Sequence, residues 1–125
     1  MRIMNLVPVV LLLLSTGCTT FNITNLTAST APRNEDGLYP VEVEITSNQT
    51  SLRHESIRPH VVIGFDFYPM EQTPFLTNRW ETLIPVPADQ SFVNYKFKVD
   101  FDYNEFGGRA QASTSSTEYK LTITD

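Results

Sequence analysis

Ser91-Phe92-Val93-Asn94-Tyr95-Lys96-Phe97-Lys98-Val99-Asp100-Phe101-Asp102-Tyr103-Asn104-Glu105 alternates without a break. Val93, Tyr95, Phe97, Val99, Phe101 and Tyr103 fall on one face, and Lys96, Lys98, Asp100 and Asp102 on the other. A period of two built from aromatic and β-branched residues marks a strand with one buried face. Its six inward side chains, at about 1.5–3 kcal/mol each, make it a major contributor to the core. The outward face carries lysines first and aspartates second, which favours one cross-strand register and discourages edge-to-edge association.

Toward the C-terminus, Phe106-Gly107-Gly108-Arg109 reads as a hairpin tip, because glycine is free to take positive φ. The chain returns through the Ser/Thr-rich segment Ser113 to Thr117. Tyr119, Leu121 and Ile123 then alternate with Lys120, Thr122 and Thr124, predicting a final strand antiparallel to 91–105. Toward the N-terminus, Arg79 to Val86 reads as a strand with Trp80, Thr82, Ile84 and Val86 on one side, ended by Pro85 and Pro87. Residues 68–78 read as a loop that exposes Met70, Phe75 and Leu76. Ile57 to Tyr68 reads as one strand, with Val61, Ile63, Phe65 and Phe67 on one face, His60, Val62, Gly64 and Asp66 on the other, and Gly64 marking a bulge or a close backbone approach. Leu38 to Ser47 alternates cleanly, with Tyr39, Val41, Val43 and Ile45 against Glu42, Glu44 and Thr46. Ala31 to Gly37 reads as a turn.

These elements predict an all-β chain: an antiparallel β-sandwich of about seven strands over residues 31–125, with a small open barrel as the structural alternative. Strand number and pattern resemble immunoglobulin-like and fibronectin-like modules, without the Cys-Trp-Cys signature of antibody domains.

A different logic governs the first residues. Met1-Arg2 is a short positive start, Leu6 to Leu14 an apolar run, and Ser15-Thr16-Gly17 are small, the order found in a secretory signal. The run is well short of the roughly 20 residues a spanning helix needs. Leu14-Ser15-Thr16-Gly17-Cys18 resembles the lipobox of bacterial lipoproteins, with Ser15 where that family usually has leucine. The resemblance implies a signal peptide over residues 1–17, cleavage before Cys18, and a diacylglyceryl group and further acylation at Cys18, the only cysteine in the chain. It also implies outer-membrane sorting in a two-membrane host, since Thr19 rather than aspartate follows the cysteine. Ordinary signal cleavage after the small residues is the alternative; it leaves a free thiol, a liability in an oxidising compartment. Residues 18–30 then form a tether, whose Phe21, Ile23, Leu26 and Ala28 suggest that its second half begins a first, edge strand.

Composition narrows the function. Without the leader, eight Lys and Arg stand against fourteen Asp and Glu, a net charge of −6. That argues against sequence-independent nucleic-acid binding, which rests on neutralised phosphates. His54, Glu55, His60 and Asp66 match no metal-ligand spacing. No nucleophile–base pair or phosphate-cradling loop is present, so no enzyme and no cofactor are expected. Two classes of function remain. One is a non-enzymatic envelope lipoprotein, held to the membrane through lipid on Cys18, whose Ig-like domain meets an envelope protein or gives structural support. The other is a glycan-binding module. The run from Val61-Val62-Ile63-Gly64 through Met70, Trp80-Glu81 and Ile84-Pro85-Val86-Pro87 to Tyr95-Lys96-Phe97-Lys98-Val99 is similar to starch- and glycogen-binding sandwich domains. That resemblance implies sugar contacts at Trp80 and Lys96.

Overall fold

The computed structural model describes residues 21–125. Ten strands follow in chain order: β1 Phe21–Asn25, β2 Thr30–Pro32, β3 Leu38–Ser47, β4 Arg58–Ile63, β5 Asp66–Pro69, β6 Glu71–Gln72, β7 Arg79–Pro85, β8 Phe92–Glu105, β9 Gly108–Ser115 and β10 Tyr119–Thr124. One sheet has the order β1-β3-β7-β6; the other has β2-β10-β8-β4-β5, with β9 also paired to β8. These orders match the A-B-E-D and G-F-C sheets of an immunoglobulin-type sandwich, with an extra strand beside C. All pairings are antiparallel except β2 with β10, which is parallel. The chain crosses from one sheet to the other between β1 and β2, so its first strands clasp both layers.

The inward stripe of β8 holds the two layers together. Tyr95, Phe97 and Val99 are almost fully buried against Tyr39, Val41, Val43 and Ile45 of β3 and Val61 of β4. The rings of Tyr95 and Phe97 meet edge to face at 5.7 Å, and Tyr119 lies within 6 Å of both. Trp80 and Ile84 of β7 and Leu121 and Ile123 of β10 complete the same core.

The return path along β8 contains a register change that the alternation alone does not reveal. Lys98 pairs with Ser115 and Tyr95 with Tyr119, so three steps on β8 oppose four on the returning chain. One extra residue is inserted, as in a β-bulge. Before it the inward positions are Ala110, Ala112 and Thr114; after it they are Tyr119, Leu121 and Ile123. Ser116 holds the junction. Its backbone N–H donates to the Phe97 carbonyl (2.9 Å), and its hydroxyl accepts from the Phe97 N–H (2.9 Å).

Several expectations change. The 57–68 segment is a hairpin, not one strand: β4 and β5 pair with Ile63 opposite Asp66, leaving Gly64-Phe65 as a two-residue turn. Gly64 has φ +61°, the glycine-first pattern of a type II′ turn. The reversal puts Phe65 wholly in solvent and leaves Phe67 half exposed, whereas an unbroken strand would align both with Val61. Met70 is buried, because the chain changes sheet between β5 and β6 and this side chain fills the gap. Thr30–Pro32 is a short strand rather than part of a turn, and the Ser/Thr segment from Ser113 lies largely in β9.

The loops divide between two ends. The 48–57 connection, the 73–78 loop and the β8–β9 turn share one end with the start of β1. Phe21 pairs with Ser47 and stacks on Phe101 at 4.8 Å, the Ile45 N–H bonds the Asn78 carbonyl, and Leu52 bridges to Tyr103. The opposite end carries the Gly64-Phe65 turn, the 33–37 and 86–91 connections, and Asp125, which pairs with Arg33.

Ser116→Ala is expected to leave the buried Phe97 N–H without its acceptor and to cost about 1–3 kcal/mol in urea unfolding. Ser116→Thr, which keeps the hydroxyl, should recover most of that loss.

Candidate functional site

The two outer faces of the sandwich carry opposite charge. Outward positions of the β8-containing sheet include Arg58, Lys96, Lys98, Arg109 and Lys120, five of the eight Lys and Arg in residues 21–125. Asp100 and Asp102 are its only outward carboxylates on the paired strands. The outer face of the other sheet is acidic. Glu42 lies directly opposite Glu81, and Glu81 directly opposite Glu71, a row of three carboxylates across three strands. Arg79 reaches Glu42 at 3.8 Å, and the Thr73 hydroxyl donates to Glu81 at 2.8 Å.

Asp102 is the one carboxylate of this structure's sheets that is enclosed, with the residue only 6% exposed. Although its side chain is on the outward face, two arginines cover it. Arg109 approaches one oxygen at 2.8 and 2.9 Å and Arg58 the other at 3.4 Å, each from a neighbouring strand. Burial pushes the Asp102 carboxyl up; the hydrogen bonds and charges of Arg109 and Arg58 outweigh it and hold the group below the usual carboxylate range. The Ser56 hydroxyl accepts from the Asp102 N–H at 2.8 Å, so the same position ties the 54–56 turn to β8. Spacing along one strand could not reveal this cluster, since Arg58, Asp102 and Arg109 come from β4, β8 and β9.

A cleft of about 570 Å³ opens at the end bearing the Gly64-Phe65 turn. Tyr39, Ile63, Tyr68 and Val86 form its apolar wall, and Glu35, Asp36 and Asp66 its acidic rim. Arg33 closes one side: its Nε pairs with Asp125 and its Nη2 donates to the Gln90 carbonyl at 3.0 Å. No histidine, serine, threonine, lysine or cysteine lines it. Its volume suits a small ligand.

The structure does not bring Trp80 and Lys96 together. Trp80 lies in β7, 6% exposed, with its indole in the core between the sheets. Lys96 lies on β8, exposed on the outer face of the other sheet. A sugar-stacking platform needs an exposed ring, and Trp80 does not present one. The exposed rings are Phe65, Phe67, Phe75, Phe92 and Phe106. Cys18 lies outside the described residues.

No protein-family model matches the chain, and no curated protein does. Among solved structures the chain is similar to AggA, the major subunit of aggregative adherence fimbriae type I from Escherichia coli, with 10% identity, a TM-score of 0.47, and 87% of this chain and 97% of that chain covered. A likeness of that size transfers no residue role, and the fold assignment above rests on the strand order itself.

Two measurements follow from this electrostatic layout. Asp102 is more acidic folded than unfolded, so its contribution is present above the unfolded value, about pH 4, and is lost as the pH falls through the folded value. The urea midpoint of Asp102→Asn should therefore be lower at neutral pH and fall less on acidification than that of the parent. Glu81→Lys puts a cation between Glu42 and Glu71 and should raise stability by roughly 0.2–1 kcal/mol at low salt, an increase that added salt should shrink.

Proposed function

We propose that this chain is a non-enzymatic lipoprotein of the cell envelope, held to a membrane through lipid on Cys18, whose Ig-like domain serves protein interaction or structural support. The observation that carries this reading is the order of the leader: a positive start at Met1-Arg2, an apolar run from Leu6 to Leu14, and the small residues Ser15-Thr16-Gly17 directly before Cys18. Several acyl chains, at about 0.8 kcal/mol per buried methylene, hold such a domain stably, where a single chain gives only marginal binding.

The domain fits an interaction role in other ways. Its two outer faces are charged with opposite sign, which offers a partner two chemically distinct surfaces. In a two-membrane host, Thr19 after the cysteine favours the outer membrane.

The test is the intact mass of the mature native protein. A chain starting at Cys18 with diacylglyceryl and acyl mass added is the expected result, and the Cys18→Ala variant should leave the detergent phase on phase partitioning. A mature terminus with an unmodified Cys18 thiol would overturn the reading.

A further inference from the structure

We propose that the end of the sandwich bearing the 73–78 loop and the β8–β9 turn is the membrane-contacting end, with Phe75, Leu76 and Phe106 seated among the lipid headgroups. The inference rests on the lipid anchor proposed above and adds the orientation of the domain, which the anchor alone does not determine. Chain connectivity is the first argument. Phe21 is at this end, stacked on Phe101, and from it β1 runs away toward Asn25, whose side-chain amide donates to the Tyr95 hydroxyl at 2.8 Å. Three residue steps separate Phe21 from Cys18, which fully extended span at most about 11 Å. A lipid on Cys18 therefore keeps this end against the bilayer.

Protruding apolar groups are the second argument. From Phe101, β8 continues to Glu105 before turning, so Phe106 stands about 16 Å further along the strand direction. That projection exceeds the reach of the tether, so the turn meets the headgroups before the rest of the body can. Phe106 and Phe75 are as exposed as free side chains, and Leu76 is 43% exposed. Phe75 holds a φ of +65°, a backbone state that bulky residues avoid. Its ring is wholly in solvent and does not fold back on β7. The segment Thr73-Pro74-Phe75-Leu76-Thr77-Asn78 carries no charge, so its burial among headgroups has no ion to dehydrate. Aromatic and aliphatic side chains on such loops partition into the interface between headgroups and acyl chains. The cleft walled by Tyr39 and Tyr68 is at the other end and faces away from the membrane in this orientation.

The experiment uses the full, lipidated protein. Phe106→Cys, Phe75→Cys and Phe65→Cys are labelled singly with an environment-sensitive fluorophore, since the acylated Cys18 offers no competing thiol. Each is placed in vesicles of phosphatidylethanolamine and phosphatidylglycerol that carry a headgroup-level spin label. Blue-shifted emission and strong quenching at positions 106 and 75, with neither at position 65, is the expected result. Equal quenching at all three positions, quenching at 65 alone, or probes at 106 and 75 that stay unquenched, with or without a blue shift, overturns the orientation. The N-terminal mass is taken on the same samples. An unmodified Cys18 overturns anchor and orientation together, whereas a lipidated Cys18 with the wrong quenching pattern overturns the orientation alone.

Discussion

Burial of the inward stripe of β8 is the constraint on which the rest of the structure depends. With no disulfide across the layers, Tyr95, Phe97 and Val99 and the residues they pack against must hold the two sheets together by packing alone. Both edges of β8 are in use. β4 pairs with residues 96–100 on one side, and β9 and β10 in succession occupy the other. A central strand of this length organises its neighbours: each must place its own alternate residues against the same stripe or leave the stripe exposed. The Phe21 ring on Phe101 extends this to the start of β1, which is fastened to the same strand.

The elements most legible in the sequence are those with long, uninterrupted alternation. β3 occupies Leu38–Ser47 as its pattern implies, and β8 differs from the 91–105 reading by one residue. The 57–68 hairpin was not legible, because Val61, Ile63, Phe65 and Phe67 keep a perfect period of two through the turn. The only signal against a single strand is Gly64, and one glycine is read equally well as a bulge. Met70 misled for the opposite reason. An apolar residue between two prolines in a polar segment reads as exposed, yet here it sits where the chain passes between sheets. The β2 strand is three residues long and is defined by its partner β10 rather than by any pattern of its own.

The candidate site residues divide along the same line. Alternation alone places Lys96 on an outer face. It also gives Trp80 the same face as Ile84 and Val86, which is the core face. What the sequence hides is what lies across the strands. The Asp102 pair of guanidiniums, the row Glu42–Glu81–Glu71 and the segregation of charge between the two faces all depend on register, which local pattern does not encode. Within one strand, Asp102 is simply one of two outward aspartates; its enclosure arises only when β4 and β9 arrive on either side.

The extra residue near Ser116 makes the final third of the chain work like a vernier. Even-numbered positions face the core on one side of it and odd-numbered ones on the other. A slide of the whole returning segment by one place would turn out both Ala112 and Leu121. A slide of two would keep the faces but strand Ser116 away from Phe97. Wrong alignments are thus penalised twice by separate means, and the closing edge of the sandwich is held to a single setting by one inserted residue rather than by a crosslink.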